Sequence, residues 1–82
     1  MNLDADSALI NQVENILFGQ HFPTATERKK AARFAFATCL DENLKSLLGN
    51  AVGYHTKNPD YSRSYISRAR GHIQALREAQ KE

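Results

Sequence analysis

The sequence contains a single cysteine, no tryptophan and only two prolines among its 82 residues. One cysteine, Cys39, excludes an intrachain disulfide and is typical of a protein that works in a reducing compartment. No apolar run approaches the roughly 20 residues that a membrane-spanning helix needs. The acidic start, with Asp4 and Asp6, lacks the basic stretch and apolar core of a secretory signal. We therefore expect a cytoplasmic protein without a membrane partner.

The usual signatures of catalysis and of metal or cofactor binding are missing as well. No glycine-rich phosphate loop is present, because the mid-chain glycines stand between apolar residues of a helix-like stretch. The residues of the types that most often bind zinc are not separated by the short intervals typical of zinc ligands. They are His21, His55, His72 and Cys39. We expect no enzyme activity, no catalytic residues, no cofactor and no metal site.

Size and total charge point to no particular partner. The 11 Lys and Arg residues stand against 9 Asp and Glu residues, for a net charge of +2, so total charge alone does not indicate nucleic acid. The length predicts one domain, residues 1–82. A chain this short buries only about 60–65% of its unfolded surface, and oligomerisation would be a natural supplement to its small core.

Hydrophobic periodicity predicts an all-α fold, a compact bundle of three to four helices at about 7–18, 25–40, 42–55 and 59–79. Whether the second and third helices form one rod stays open at this point. Asp6 or Ser7 is expected to cap the first helix, and Gly19 is expected to end it in the left-handed conformation.

Polar residues at the remaining helix starts support the same division. Thr24 and Glu27 have the spacing of a capping box at the start of the second helix. Asp41 is a cap candidate for the third helix. Asn58 followed by Pro59 predicts the start of the fourth helix, because proline is tolerated in the first helical turn.

The last predicted helix carries a row of cations. Arg63, Arg70 and Arg77 recur every seven residues, Lys81 follows one turn later, and two polar residues lie between them. At about 100° per residue these side chains share one narrow stripe. Such a stripe can neutralise phosphates of a nucleic acid. Two alternatives remain open, an acidic protein partner and a solvated face whose arginines pair with acids of the first helix. We name the arginine row by its members: Arg63, Ser67, Arg70, Gln74, Arg77 and Lys81.

A second basic patch lies in the first two turns of the second helix and comprises Arg28, Lys29, Lys30 and Arg33. Cations are mildly unfavourable near a helix N-terminus, which suggests that they are retained for a partner. Solubility and local pairing are the alternative. Convergence of this patch with the arginine row would favour binding, and placement on opposite faces would weaken it.

Aromatic residues supply a further set of candidate contacts. Phe34 points away from the alanine-rich face of the second helix, and Tyr61 and Tyr65 cluster with Tyr54 near the last helix junction. Our leading hypothesis is a small, non-catalytic intracellular binding protein with a regulatory role, whose basic helix face contacts nucleic acid or a nucleoprotein complex. The alternative is a protein–protein adaptor or inhibitor, a homodimer or larger homo-oligomer without nucleic-acid contact, with Phe34, Tyr61 and Tyr65 in its interface.

Overall fold

The computed structural model describes residues 3–80, and this part of the chain contains four α-helices. Helix α1 spans Leu3–Phe18, α2 spans Ala25–Phe36, α3 spans Glu42–Tyr54 and α4 spans Pro59–Gln80. The predicted all-α fold is confirmed, and α2 and α3 are separate helices. None of the four described helices combines the length and the apolar character that crossing a membrane requires.

Two predicted helix ends are wrong. Helix α1 begins at Leu3, so Asp6 and Ser7 lie inside the helix instead of capping it. The carboxylates of its first turn favour this earlier start, because they complement the positive end of the helix dipole. Helix α2 ends at Phe36, and two backbone bonds of the tighter i→i+3 type follow, from Ala37 N and Cys39 N. The chain then leaves the helical path before Asp41.

The other predicted helix starts are confirmed by their capping bonds. Thr24, Asp41 and Asn58 each accept a bond from the backbone N–H three residues on, at 3.2, 3.1 and 3.2 Å. Each of these bonds satisfies a donor that the first helical turn leaves unpaired. The caps of Asp41 and Asn58 fix where α3 and α4 begin.

Gly19 follows α1, but the left-handed conformation predicted for it is wrong. No glycine among the described residues has a positive φ. Gly19 N donates to Asn15 O at 2.8 Å, which prolongs the helical pattern by one bond. A Cβ atom at position 19 would collide with that same carbonyl oxygen. Glycine is needed here for close approach of the backbone.

The helices form two layers, the α1–α2 hairpin and the α3–α4 hairpin. Helix α1 packs against α4 and α2 packs against α3, whereas α2 and α4 lie diagonally and make no contact. Helix α2 contributes only Ala32 and Phe36 to the core. The largest fully buried apolar side chains come from the other three helices: Ile10, Val13, Leu17, Leu44, Leu48, Val52 and Ile66. Most of the surface of α2 therefore lies outside the core.

Candidate functional site

The arginine row of α4 faces α1. Arg70 donates to both carboxylate oxygens of Glu14, at 2.7 and 3.1 Å, and to Asn11 Oδ1 at 3.0 Å. The hydrogen bonding from Arg70 holds the pKa of Glu14 below its usual range, against a smaller opposing effect of burial. A bidentate pair of this kind fixes the guanidinium in one orientation.

The two other arginines of the row also contact α1. Arg77 donates to Asp4 Oδ1 at 2.9 Å and to Ser7 Oγ at 3.1 Å. The guanidinium of Arg63 lies over the ring of Phe18, 4.2 Å from its centroid, which is a cation–π contact. All three arginines therefore join α4 to α1, as the pairing alternative describes for Arg70 and Arg77.

The remaining members of the row are placed differently. Ser67 is exposed, and Gln74 donates to Glu78 Oε1 at 2.9 Å along the same helix. Lys81 lies outside the described residues. Among the described members of the row, Arg70, Gln74 and Arg77 are thus engaged in hydrogen bonds within the chain.

The second basic patch divides into bound and exposed members. Arg28 Nε donates to Phe22 O at 2.9 Å, and Lys29 Nζ donates to Thr56 Oγ1 at 2.9 Å. Lys30 and Arg33 are exposed. Since α2 and α4 lie diagonally, this patch and most of the arginine row do not share a face.

Residues of both basic groups lie around His55, at one end of the bundle. His55 is buried, and the centroid of its ring lies 5.1 Å from that of Phe18 in an edge-to-face contact. The guanidinium of Arg63 lies over the same Phe18 ring. Burial lowers the pKa of His55, and the charges of Arg28 and Lys29 lower it further. His55 Nδ1 has no hydrogen-bond partner among the described residues. The surroundings of His55 therefore favour the neutral imidazole.

The three tyrosines form the predicted cluster at the α3–α4 junction. The ring of Tyr54 meets Tyr61 edge to face at 5.5 Å and is parallel to Tyr65 at 5.7 Å. The guanidinium of Arg68 lies 4.9 Å from the centroid of Tyr65. Tyr65 is half-buried, so most of this cluster serves to join α3 to α4, while Tyr61 remains 57% exposed.

The most conspicuous surface lies on the outer side of the α1–α2 hairpin. Phe34 is 85% exposed and Leu40 is 95% exposed. Phe34 borders an apolar groove of about 500 Å³ between the two helices. We call this surface the α1–α2 face and define it by these apolar residues: Leu9, Ile16, Phe22, Ala31, Phe34, Ala35 and Leu40.

The α1–α2 face is continuous along the hairpin. Gln12 and Ala35 line the groove beside Phe34 and also the recess that reaches Leu40, so they mark the middle of the face. Charged side chains border both ends, with Asp6 near Leu40 and with Glu27 and Lys30 near Phe22. Leu40 and Phe22 were not predicted as contact residues. For Leu40 the reason is that the second helix was expected to continue to residue 40.

One polar contact that sequence reasoning missed lies between α4 and the α2–α3 connection. His72 Nε2 is 2.9 Å from Asp41 Oδ2, and the same carboxyl group caps α3. Burial raises the pKa of Asp41, but the bonds from His72 and from the capped amides outweigh this effect and lower it. The pair has a structural role, since both carboxylate oxygens of Asp41 are engaged. Oδ1 accepts the capping bonds of α3, and Oδ2 contacts His72 of α4.

Chemistry at the remaining reactive groups is not indicated by the geometry. Burial raises the pKa of the Cys39 thiol, which disfavours the reactive thiolate. Within residues 3–80 no three His, Cys, Asp or Glu side chains lie close enough together to hold a metal ion. Comparison with protein-family models, with curated proteins and with solved structures found no match for this chain.

Proposed function

We propose that this chain is a small, non-catalytic cytoplasmic adaptor or inhibitor that makes a protein–protein contact through its α1–α2 face, with a second copy of itself or with a different protein. The observation that carries the proposal is the placement of exposed apolar side chains. Among the described residues, three large hydrophobic side chains are mostly exposed, and two of them, Phe34 and Leu40, belong to the α1–α2 face.

Physical chemistry favours a partner on this surface. Contiguous apolar patches larger than a few hundred Å² are rare on the surface of monomeric proteins and commonly mark a contact site. An aromatic anchor beside a groove is the usual form of an interface hot spot, because covering it removes a large apolar area from water. The groove beside Phe34 is lined mainly by aliphatic, alanine and aromatic residues, with Gln12, Glu27 and Lys30 as its polar members.

Nucleic acid is a second candidate partner, and one observation favours it. At one end of the bundle, Arg63 of α4 lies over Phe18, which packs against His55, and the charges of Arg28 and Lys29 of α2 act on the same His55. We place this candidate second because Arg70 and Arg77 donate to carboxylates of α1. Phosphate contacts by those two side chains would first require those bonds to break.

Site-specific photo-crosslinking tests the protein-binding proposal. A photoreactive phenylalanine analogue replaces Phe34 in one variant and exposed Ala75 of α4 in a matched control. In an extract of the source cells, position 34 is expected to give discrete protein adducts that position 75 does not give. The proposal fails if position 34 gives no adduct, or if both positions give the same set.

A gel shift decides the nucleic-acid candidate. The protein-binding proposal predicts no shift of mixed DNA and RNA at low salt. A shift that weakens steeply with salt, by about 0.9 log units in affinity per log unit of salt for each duplex phosphate contact, would favour nucleic acid instead. Loss of that shift in the triple variant Arg63→Ala, Arg70→Ala and Arg77→Ala would assign it to the arginine row.

A further inference from the structure

We infer that the partner on the α1–α2 face is a second copy of this chain, related to the first by a two-fold axis through the middle of the face. This inference rests on the proposed function and names its partner. The axis would pass near Gln12 and Ala35, the residues that line both halves of the face.

Shape supports a self-complementary contact. In a two-fold interface the same surface serves both copies, so it must contain both the projection and the recess. The α1–α2 face has this property, because exposed Phe34 projects beside a groove of about 500 Å³. Ala31 and Ala35 keep α2 thin beside Phe34, so the helix of another copy can approach closely.

The charges at the two ends of the face are compatible with the same arrangement. One end carries Asp6, and the other carries Lys30 together with Glu27. Neither Asp6 nor Lys30 makes an ion pair within the described part of the chain. A two-fold axis that lies in the plane of the contact and runs across the hairpin, from Gln12 to Ala35, brings the two faces together in opposite directions, so the acidic end of one copy lies against the Lys30 end of the other. Two Asp6 carboxylates are thereby kept apart.

The available surface is sufficient for a dimer. A standard interface takes about 800 Å² from each partner, which is roughly 15% of the 5346 Å² surface of this chain. Helix α1 has 16 residues and α2 has 12, so at 1.5 Å per residue they are about 24 and 18 Å long. The outer side of one of only two layers supplies an area of that order.

Disulfide trapping tests the position of the axis. With Cys39 replaced by serine, Gln12→Cys places a thiol near the axis, where the thiols of two copies meet, and Ala75→Cys places one on the exposed side of α4. Under mild oxidation of the purified protein we expect a disulfide-linked dimer from position 12, at least tenfold more than from position 75. Adding Phe34→Glu to the position 12 variant is expected to remove that dimer.

The outcomes separate this inference from the proposed function. Equal trapping at both positions, or trapping that Phe34→Glu leaves unchanged, would overturn the two-fold dimer. Purified protein that stays monomeric, while the position 34 photo-crosslinker captures a different protein, would overturn the dimer and leave the proposed function standing. Absence of any adduct at position 34 would overturn both.

Discussion

Arg70 of α4 binds both carboxylate oxygens of Glu14 in α1, at 2.7 and 3.1 Å. The contact joins residues 56 positions apart and directs the central arginine of the row toward the chain's own first helix. A cationic stripe on an amphipathic helix can thus stabilise the tertiary structure, by pairing with carboxylates of the same chain, as readily as it can bind a phosphate backbone.

A double-mutant cycle tests whether this pair stabilises the fold. Replacing Arg70 and Glu14 by alanine, singly and together, is expected to give a coupling free energy of about 0.5–1 kcal/mol, at the upper end for a partly exposed pair. Urea unfolding at low salt measures it. Additive effects of the two substitutions would show that the contact contributes nothing to stability.

The glycines offer a matched pair of substitutions with opposite expected effects. Gly71→Ala adds a methyl group in open space within α4 and is expected to stabilise by about 0.5–1 kcal/mol. Gly19→Ala places the same methyl group against Asn15 O and is expected to destabilise by about 1–3 kcal/mol. Thermal unfolding distinguishes the two, and a shift of the same sign in both variants would contradict the account of Gly19.

Because His55 is buried, we expect the free energy of unfolding to fall in mild acid. Burial and the charges of Arg28 and Lys29 lower its pKa in the folded state. As the pH falls, His55 is therefore protonated in the unfolded chain before it is protonated in the folded protein. The neutral His55 contributes its full share to the free energy of unfolding above its unfolded pKa of about 6.5. That share is lost as the pH drops from there to the folded pKa of His55. The free energy of unfolding should fall less in His55→Phe than in wild type between pH 7.5 and 5.5. Equal slopes would mean that His55 titrates normally.

The sequence was sufficient for the helical architecture, because its signals there are local. Thr24, Asp41 and Asn58 cap their helices through bonds to amides three residues away, which spacing alone predicts. The end of α2 was not predictable in the same way. No proline or glycine marks residue 37, and the break depends on Asp41, which must both cap α3 and contact His72 of α4.

The candidate site was less accessible to sequence reasoning. Periodicity identified the arginine row but could not show that Glu14 and Asp4 lie opposite it, since those contacts depend on how α1 packs against α4. Phe34 was recognised as lying off the alanine-rich face. Exposed Leu40 and half-buried Phe22 were not, because their places on the face follow from the paths of connections that no residue spacing defines.

One variant tests most directly whether the α1–α2 face is a contact surface and not part of the folding core. Phe34→Glu changes an 85% exposed side chain, so the free energy of unfolding of the dilute monomer should stay within about 0.5 kcal/mol of wild type. Sedimentation equilibrium of concentrated wild type and of the control Ala75→Glu should give twice the 9.2 kDa chain mass. The Phe34→Glu variant should sediment as the 9.2 kDa monomer. A folded Phe34→Glu variant that still dimerises, or wild type that remains monomeric and yields no adduct at position 34, would contradict the account.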